Sequence, residues 1–294
     1  MSISININGK IWDKENAKIS VFDRGFLYGD SIYEATYSQK RTFVFLDEHL
    51  DRLWNSAALI GMEIQISRLE LAKRILETAK ASNLDEVFVR VVITRGETEL
   101  ILNPENSAQN VVIYVKPNIQ YPQSFYEKGF SLSLVGRPRN DRRSLDPNAK
   151  SGNYLNNILA IQEAKKTGAD DAIMANTQGE VTEGTTFNVW MVRDGEVFTP
   201  HHDSGLLKGI TRDKVMDVCA QLKVPFHETS LTAADLSSAQ ELFITSSTKG
   251  IMPVYKLDDR IYAETDDKRP VTEKLRKRYL DLVNEHIHQG LFTY

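Results

Sequence analysis

Two short stretches carry residue types that could hold an aldehyde cofactor and work on what is joined to it. Ala149-Lys150-Ser151-Gly152-Asn153-Tyr154-Leu155 sets a lysine just ahead of an amphipathic run. Further on, Val181-Thr182-Glu183-Gly184-Thr185-Thr186-Phe187-Asn188 delivers a lone glutamate from a strand into a turn. A lysine amine forms an imine with an aldehyde, and a carboxylate balances the charge of a protonated ring nitrogen. Spacing alone does not separate this lysine from a solvating one, since most lysines are exposed.

Three other features could serve an anionic ligand. Ser204-Gly-Leu-Leu-Lys-Gly209-Ile210-Thr211 precedes a helix expected from about Arg212 to Leu222, and a helix start presents free amides to an anion or takes a simple cap. Thr245-Ser246-Ser247-Thr248-Lys249-Gly250 is a hydroxyl-rich turn after an apolar strand, or else an ordinary polar loop. Asp23-Arg24-Gly25-Phe26-Leu27-Tyr28-Gly29-Asp30 places two glycines around aromatic and apolar residues, which suits a loop over a ligand or a plain connection.

Lys150-Ser-Gly-Asn-Tyr-Leu155, Val181-Thr-Glu-Gly-Thr-Thr-Phe-Asn188, Leu207-Lys-Gly-Ile-Thr-Arg-Asp213 and Asp23-Arg-Gly-Phe-Leu-Tyr-Gly-Asp30 together resemble the motif set of the class IV, fold type IV pyridoxal-phosphate aminotransferases. That group holds branched-chain and D-amino-acid aminotransferases, aminodeoxychorismate lyases and R-selective amine transaminases, and the resemblance covers nearly the whole chain. It implies pyridoxal 5'-phosphate as cofactor and a homodimer whose active site lies between subunits. It also implies a mixed α+β and α/β fold: a small N-terminal α/β domain and a larger C-terminal domain built on a barrel-like mixed sheet.

Carried over position by position, the resemblance makes Lys150 the imine-forming and proton-shuttling residue, a task for a neutral amine that an apolar pocket and nearby positive charge would favour. Glu183 pairs with the pyridine nitrogen and Tyr154 with the phenolic oxygen. Arg52, the amides of Ile210 and Thr211 and the Ser247 hydroxyl hold the phosphate. Tyr28, Tyr33 and Arg90 line the substrate pocket with Glu34 at its edge, and the turn Ser246, Ser247, Thr248 takes the α-carboxylate.

Substrate choice rests on departures within the family. D-amino-acid enzymes typically carry an arginine and a histidine soon after Thr-Arg-Gly, whereas Thr94-Arg95-Gly96 continues Glu97-Thr-Glu-Leu-Ile-Leu-Asn103-Pro104 with neither. Lys150-Ser-Gly-Asn-Tyr-Leu and Arg90 resemble the branched-chain enzymes. Yet Phe88 stands where those have a carboxylate-binding tyrosine, and other flanks look more like the D-enzymes. The expected donors are branched-chain L-amino acids with 2-oxoglutarate as acceptor, the alternatives being D-amino acids or R-amines, a lyase, and a non-enzymatic cofactor binder.

The elements that must position these groups follow from periodicity. Ser2 to Asn8 alternates, and Asn8-Gly9 signals a hairpin toward Ile11-Trp12. Short strands are expected over Ile19–Phe22, Ser31–Tyr37 and Phe43–Leu46, then a helix from Asp47 to Gly61 that carries His49, read as structural, and Arg52. Ser67 and Glu70 spell a capping box before a helix with Leu69, Ala72, Ile75, Leu76 and Ala79 inward. Val87–Thr94 and Val111–Val115 read as buried strands, so Arg90 needs a partner. The two prolines of Pro117-Asn-Ile-Gln-Tyr-Pro122 mark the boundary between a small domain, 1–117, and a large one, 130–294, joined by a linker over 118–129.

In the second half Phe130–Val135 is a strand and Arg137–Arg143 a charged loop. A helix over Tyr154–Lys166 is expected to bury Leu155, Ile158, Leu159 and Ile161. Asp171–Ala175 is a strand, Asp194-Gly195 turns a hairpin, Leu242–Ile244 is a buried strand, and Thr272–Ile287 is a structural helix.

The whole has 294 residues, 41% hydrophobic, enough for one or two cored domains. A net charge of −4 with both signs interspersed gives no reason to expect nucleic acid or an anionic membrane. The single cysteine, Cys219, excludes an intrachain disulfide and reads as buried and inert. No stretch approaches the roughly 20 apolar residues of a membrane span, and a cytoplasmic enzyme is expected.

Overall fold

A computed structural model describes residues 3–100, 102–103, 107–262 and 265–294. The chain forms two compact units: residues 1–119, 148–153 and 284–294 make one, and residues 120–147 and 154–283 make the other.

The first unit is built on β1 (Ser4–Ile7), β2 (Lys10–Trp12), α1 (Arg24–Tyr28), β3 (Ser31–Gln39), β4 (Thr42–Phe43), α2 (Leu46–Leu59), α3 (Arg68–Ala81), β5 (Val87–Thr94) and β6 (Asn110–Pro117). Its six strands form an antiparallel sheet in the order β2-β1-β6-β5-β3-β4. The β1–β2 hairpin turns at Asn8 and Gly9, both at positive φ, as a two-residue turn with the right twist demands. The helices pack Leu50, Leu53, Leu71 and Ile75 against Val89, Val91, Ile93 and Ile113 of the sheet. The period of α2 and α3 therefore reads correctly at these positions.

Several local expectations fail here. Ile19–Phe22 is irregular with Val21 and Phe22 exposed, and the segment after it is the short helix α1, capped by the Asp23 carboxylate accepting from the Gly25 amide. Only Thr42–Phe43 is extended near the strand expected over Phe43–Leu46, because Phe45 adopts a left-handed conformation and α2 opens at Leu46. Leu69 of the α3 stripe is exposed. The capping box is half made: Ser67 accepts from the Glu70 amide, while the Glu70 carboxylate accepts from Arg74 one turn on. Ser2 and Ile101 lie outside the described residues.

The second unit comprises α4 (Gln123–Glu127), β7 (Phe130–Leu134), α5 (Leu155–Lys166), β8 (Asp171–Ala175), β9 (Val181–Gly184), β10 (Asn188–Arg193), β11 (Glu196–Pro200), α6 (Ile210–Leu222), β12 (Phe226–Thr229), α7 (Ala233–Ser238), β13 (Glu241–Ser246), β14 (Gly250–Leu257), β15 (Arg260–Ile261) and α8 (Pro270–Gln289), whose last turns belong to the first unit. Nine strands make a mixed sheet ordered β12-β11-β10-β13-β14-β7-β8-β9, with β15 on β14. The pairs β11–β12, β14–β7 and β7–β8 are parallel and the rest antiparallel. One curled half-barrel sheet and one antiparallel sheet make up the α+β class that the sequence implied.

The core of the second unit runs through Ile173, Val189, Met191, Leu242, Ile244, Met252 and Val254. Trp190 stacks on Phe243 at 5.5 Å and donates its indole N–H to the Thr245 hydroxyl at 3.0 Å. The stripe of α5 is not the expected one: Asn157, Ala160 and Ala164 are buried, while Leu155 and Ile158 are exposed. Small residues allow α5 to lie close on Ala172 and Met174 of β8, so size rather than hydrophobicity chooses the inner face. Cys219 is buried in α6, and burial pushes its thiol up to about 12, so it stays an inert thiol. Among the described residues no helix is long and apolar enough to cross a membrane.

Leu53, fully buried between α2 and its sheet, tests the small core. Leu53→Ala is expected to lower unfolding free energy by about 2–5 kcal/mol through lost burial and the cavity left behind, measured by urea denaturation.

Candidate functional site

In the first unit, residues 148–153 run beside β3. Tyr33 donates its amide to the Lys150 carbonyl at 2.8 Å, Gly152 donates to the Ser31 carbonyl at 2.9 Å, and Ile32 and Ser151 bridge antiparallel. The Lys150 amide donates to the Ser56 hydroxyl at 3.1 Å, and that hydroxyl donates to the Arg52 carbonyl of α2 at 2.8 Å. Gly152 is required by close approach: a Cβ there would lie 2.4 Å from the Ser31 hydroxyl. The lysine is thus fixed at both its amide and its carbonyl. Its ammonium nitrogen lies 4.5 Å from the centroid of the Tyr33 ring, and the Arg90 guanidinium carbon lies 3.8 Å from the same centroid. Arg90 stands opposite Ala35, diagonal to Tyr33 on the adjacent strand, within reach for a long side chain. The partner that the sequence requires for Arg90 is therefore an aromatic face.

Arg52 faces β3 from α2. Its Nε and Nη2 donate to the two oxygens of Glu34 at 2.6 and 2.8 Å, and His49, one turn earlier, lies with Nδ1 2.7 Å from the same carboxylate. Burial pushes the Glu34 carboxyl up, but the charge and hydrogen bonds of Arg52, then of His49, outweigh it and hold the group far below the usual carboxylate range. Burial drives the His49 imidazole down from its ordinary 6.5, partly offset by Glu34. Arg52 is therefore held in one orientation by a bidentate, charge-assisted pair, and the same carboxylate ties His49 to it.

Tyr28 ends α1 and is partly exposed, with the Arg24 guanidinium carbon 5.1 Å from its ring centroid. Arg24 is buried, pairs with Asp30 at 2.8 Å and donates to the Leu102 carbonyl at 2.8 Å. Asp30 also pairs with Arg95 at 2.9 Å. Helix α1 and the Glu97–Asn103 stretch, expected to govern specificity, are thereby tied together, although Ile101 and Pro104 lie outside the described residues.

In the second unit Glu183 sits buried on β9. Its Oε1 accepts from Arg139 Nε at 3.0 Å and its Oε2 from the Leu207 amide at 3.1 Å. The Arg139 Nη1 donates to Asn156 at 3.3 Å. In the sequence Arg139 is one member of a charged loop, and no spacing signal links residues so far apart in the chain. Ile210 and Thr211 open α6 two residues earlier than expected, after Gly209, which caps with no side chain. A Cβ at Gly209 would lie 2.0 Å from the Asn188 side-chain oxygen, and Asn188 donates to the Leu207 carbonyl at 2.9 Å. The turn before α6 is thus joined to β9 through the Leu207 amide and to β10 through Asn188. Tyr154 stands at the N-cap of α5 without a side-chain capping bond. Ser246, Ser247 and Thr248 turn from β13 into β14, with the Thr248 hydroxyl 3.3 Å from the Tyr121 hydroxyl.

The donor sets suit a phosphorylated pyridine aldehyde. The small unit offers a fixed lysine amine and an oriented guanidinium. The large unit offers a buried carboxylate already served by two donors, helix amides with no side-chain cap, and a hydroxyl turn. Tyr28, Tyr33, Arg52, Arg90 and Lys150 belong to the first unit; Tyr154, Glu183, Ile210, Thr211, Ser246, Ser247 and Thr248 belong to the second.

The Glu34 cluster gives a measurable pH signature. Glu34→Gln is expected to cost about 3–5 kcal/mol of stability by leaving Arg52 without its buried counter-charge. His49 binds a proton less readily folded than unfolded, so its contribution is full above about 6.5 and lost as pH falls below it. Replacing it, His49→Gln, is expected to remove that part of the stability loss between about pH 7.5 and 5.5, read from urea melts.

Comparison with known proteins places the chain in a family. The family described as amino-transferase class IV matches residues 31–257. A putative branched-chain-amino-acid aminotransferase of Methanocaldococcus jannaschii is 35% identical over 95% of this chain and 96% of its own. A D-alanine aminotransferase of Listeria monocytogenes is 31% identical over 99% of this chain and all of its own, 100%. Among solved structures, a T.th. branched-chain amino acid aminotransferase complexed with N-(5'-phosphopyridoxyl)-L-glutamate superposes with a TM-score of 0.87 at 30% identity, covering 95% of this chain and 93% of that one. A family match over most of the length, with a relative 35% identical over 95% of the chain, means that the chain belongs to the class IV aminotransferases.

Proposed function

We propose that the protein is a pyridoxal-phosphate aminotransferase that moves the amino group of branched-chain L-amino acids to 2-oxoglutarate in alternating half-reactions. The observation that carries the reading is Lys150, fixed at amide and carbonyl with its amine over the Tyr33 ring beside Arg90. Bound pyridoxal phosphate supplies an aldehyde carbon for the amine and an electron-withdrawing ring that acidifies the substrate Cα. Lys150 would serve as the base that takes the substrate Cα proton. Glu183, kept in place by Arg139 and the Leu207 amide, would face the ring nitrogen as its counter-charge. Arg52, the amides of Ile210 and Thr211 and the Ser247 hydroxyl would hold the phosphate, Tyr154 the phenolic oxygen, and the Ser246–Thr248 turn the α-carboxylate. Tyr28, Tyr33 and Arg90 line the substrate side.

The L-branched-chain preference is supported by the missing arginine and histidine after Gly96 and by the branched-chain relatives. The L-glutamate conjugate held by the T.th. enzyme supports glutamate and 2-oxoglutarate as the second pair. A D-amino-acid aminotransferase is the second reading, favoured by the Listeria relative. A homodimer is supported by apolar side chains left open on the single chain: Val21 and Phe26 are 64% and 68% exposed, and Leu155 is 66% exposed.

Borohydride reduction in the presence of pyridoxal phosphate, followed by peptide mapping, is expected to place the label on Lys150; a label elsewhere, or none, overturns the assignment. Lys150→Ala is expected to slow turnover about a thousandfold or more. With L-leucine, D-alanine, D-glutamate and R-phenylethylamine added singly, L-leucine is expected to bleach the cofactor's visible absorbance. Bleaching by D-alanine and not by L-leucine would select the second reading.

A further inference from the structure

One buried cation of the large unit takes no part in the scheme above. Lys249, the residue after the Ser246–Thr248 turn, is only 8% exposed. Its ammonium donates to the Thr186 hydroxyl at a long 3.4 Å and lies 5.4 and 5.8 Å from the ring centroids of Tyr121 and Phe187. Among the described residues no carboxylate comes within ion-pair distance of it. Asp171, an acidic neighbour by its electrostatic influence, has its carboxylate engaged by the Thr185 hydroxyl at 2.5 Å and the Ala172 amide at 2.8 Å, and burial pushes that carboxyl up. One hydroxyl and two aromatic faces are weak compensation for an ammonium withdrawn from water, and a buried charge demands an anion.

The position of the lysine says which kind of anion. Its backbone closes the hydroxyl turn: the Lys249 amide donates to the Ser246 hydroxyl at 3.3 Å, and its carbonyl accepts from the Tyr126 hydroxyl at 3.2 Å. Tyr121, whose ring faces the ammonium, carries its own hydroxyl to Thr248 of the same turn. Thr186, its hydrogen-bond acceptor, lies on the strand-to-turn segment that bears Glu183. We propose that Lys249 is a specificity-determining cation that receives a carboxylate of the substrate, supplementing the neutral hydroxyls of the turn with a full charge. This rests on the aminotransferase reading. The carboxylate is either the one common to all amino-acid substrates or the distal one of a dicarboxylic partner, since the chemistry recognised is the same.

The test uses holoenzyme and unreactive acids, so that binding is read without turnover. Wild type and Lys249→Met, a change that keeps the buried stem and removes only the charge, are titrated calorimetrically with 4-methylvalerate, glutarate and the neutral 4-methylpentanamide. The variant is expected to lose about ten- to a hundredfold in affinity for carboxylate, the effect of one charge-assisted hydrogen bond, while the amide binds as before. Weakening of both acids assigns the common carboxylate, and weakening of glutarate alone assigns the distal one. Unchanged affinity for both acids, or a wild type that binds neither, overturns the proposal. Lys249→Gln, which keeps a donor for Thr186, gives the same readout if the methionine variant does not fold. Failure of the underlying reading looks different: a wild type that holds pyridoxal phosphate yet shows no half-reaction with any amino acid.

Discussion

The position of Lys150 depends on a short antiparallel pairing. Residues 148–153 lie far along the chain from β3, yet they bond to it through Tyr33, Ser31 and Ile32 and are pinned to α2 through Ser56. Main-chain hydrogen bonds determine where the Lys150 Cα stands, and the side chain then has only its own torsions to settle. A nucleophilic amine must be delivered within a few tenths of an ångström, and backbone pairing on a sheet is the stiffest support available. Glycine at 152 permits the close approach, so the motif around the lysine is as much a packing requirement as a chemical one.

Around that pairing, the polar groups are arranged in series. Glu34 orients Arg52 and is itself tethered to His49, with all three on two elements that share one core. In the large unit Arg139 and the Leu207 amide do for Glu183 what His49 and Arg52 do for Glu34. In both cases a buried carboxylate has donors on both oxygens, which holds it stationary, and for Glu34 those donors also keep it ionised. Unpaired, either group would favour its neutral form or pull a different partner inward.

Much of this was legible from the residues. Alternation found the strand from Ser31 and an apolar run the one from Val87, the strands from Val111 and Asp171 and the helix α6 were read as well, Asn8-Gly9 and Asp194-Gly195 found their hairpins, and helical spacing found α2, α3 and α8. What escaped has physical causes. Helix α5 turns its small residues inward, so a hydrophobic stripe at Leu155 and Ile158 named the wrong face. Phe45 in a left-handed conformation ended a strand that composition would have continued. Arg139, His49 and Arg24 could not be singled out because their roles come from partners distant in sequence, and a charge run or a lone histidine looks the same whether solvated or buried. The motif blocks pointed to the candidate side chains Lys150 and Glu183; the residues that hold those side chains in place required coordinates.

The tether between α1 and the stretch after Gly96 has an evolutionary consequence. Arg24 grips the main-chain oxygen of Leu102, an atom every amino acid provides. Side chains from Glu97 onward can therefore drift without loosening the anchor, provided that the backbone path is kept. Relatives that choose different amino acids could share such a fastening while rewriting what it holds, which leaves room for a change of diet at little risk to the fold.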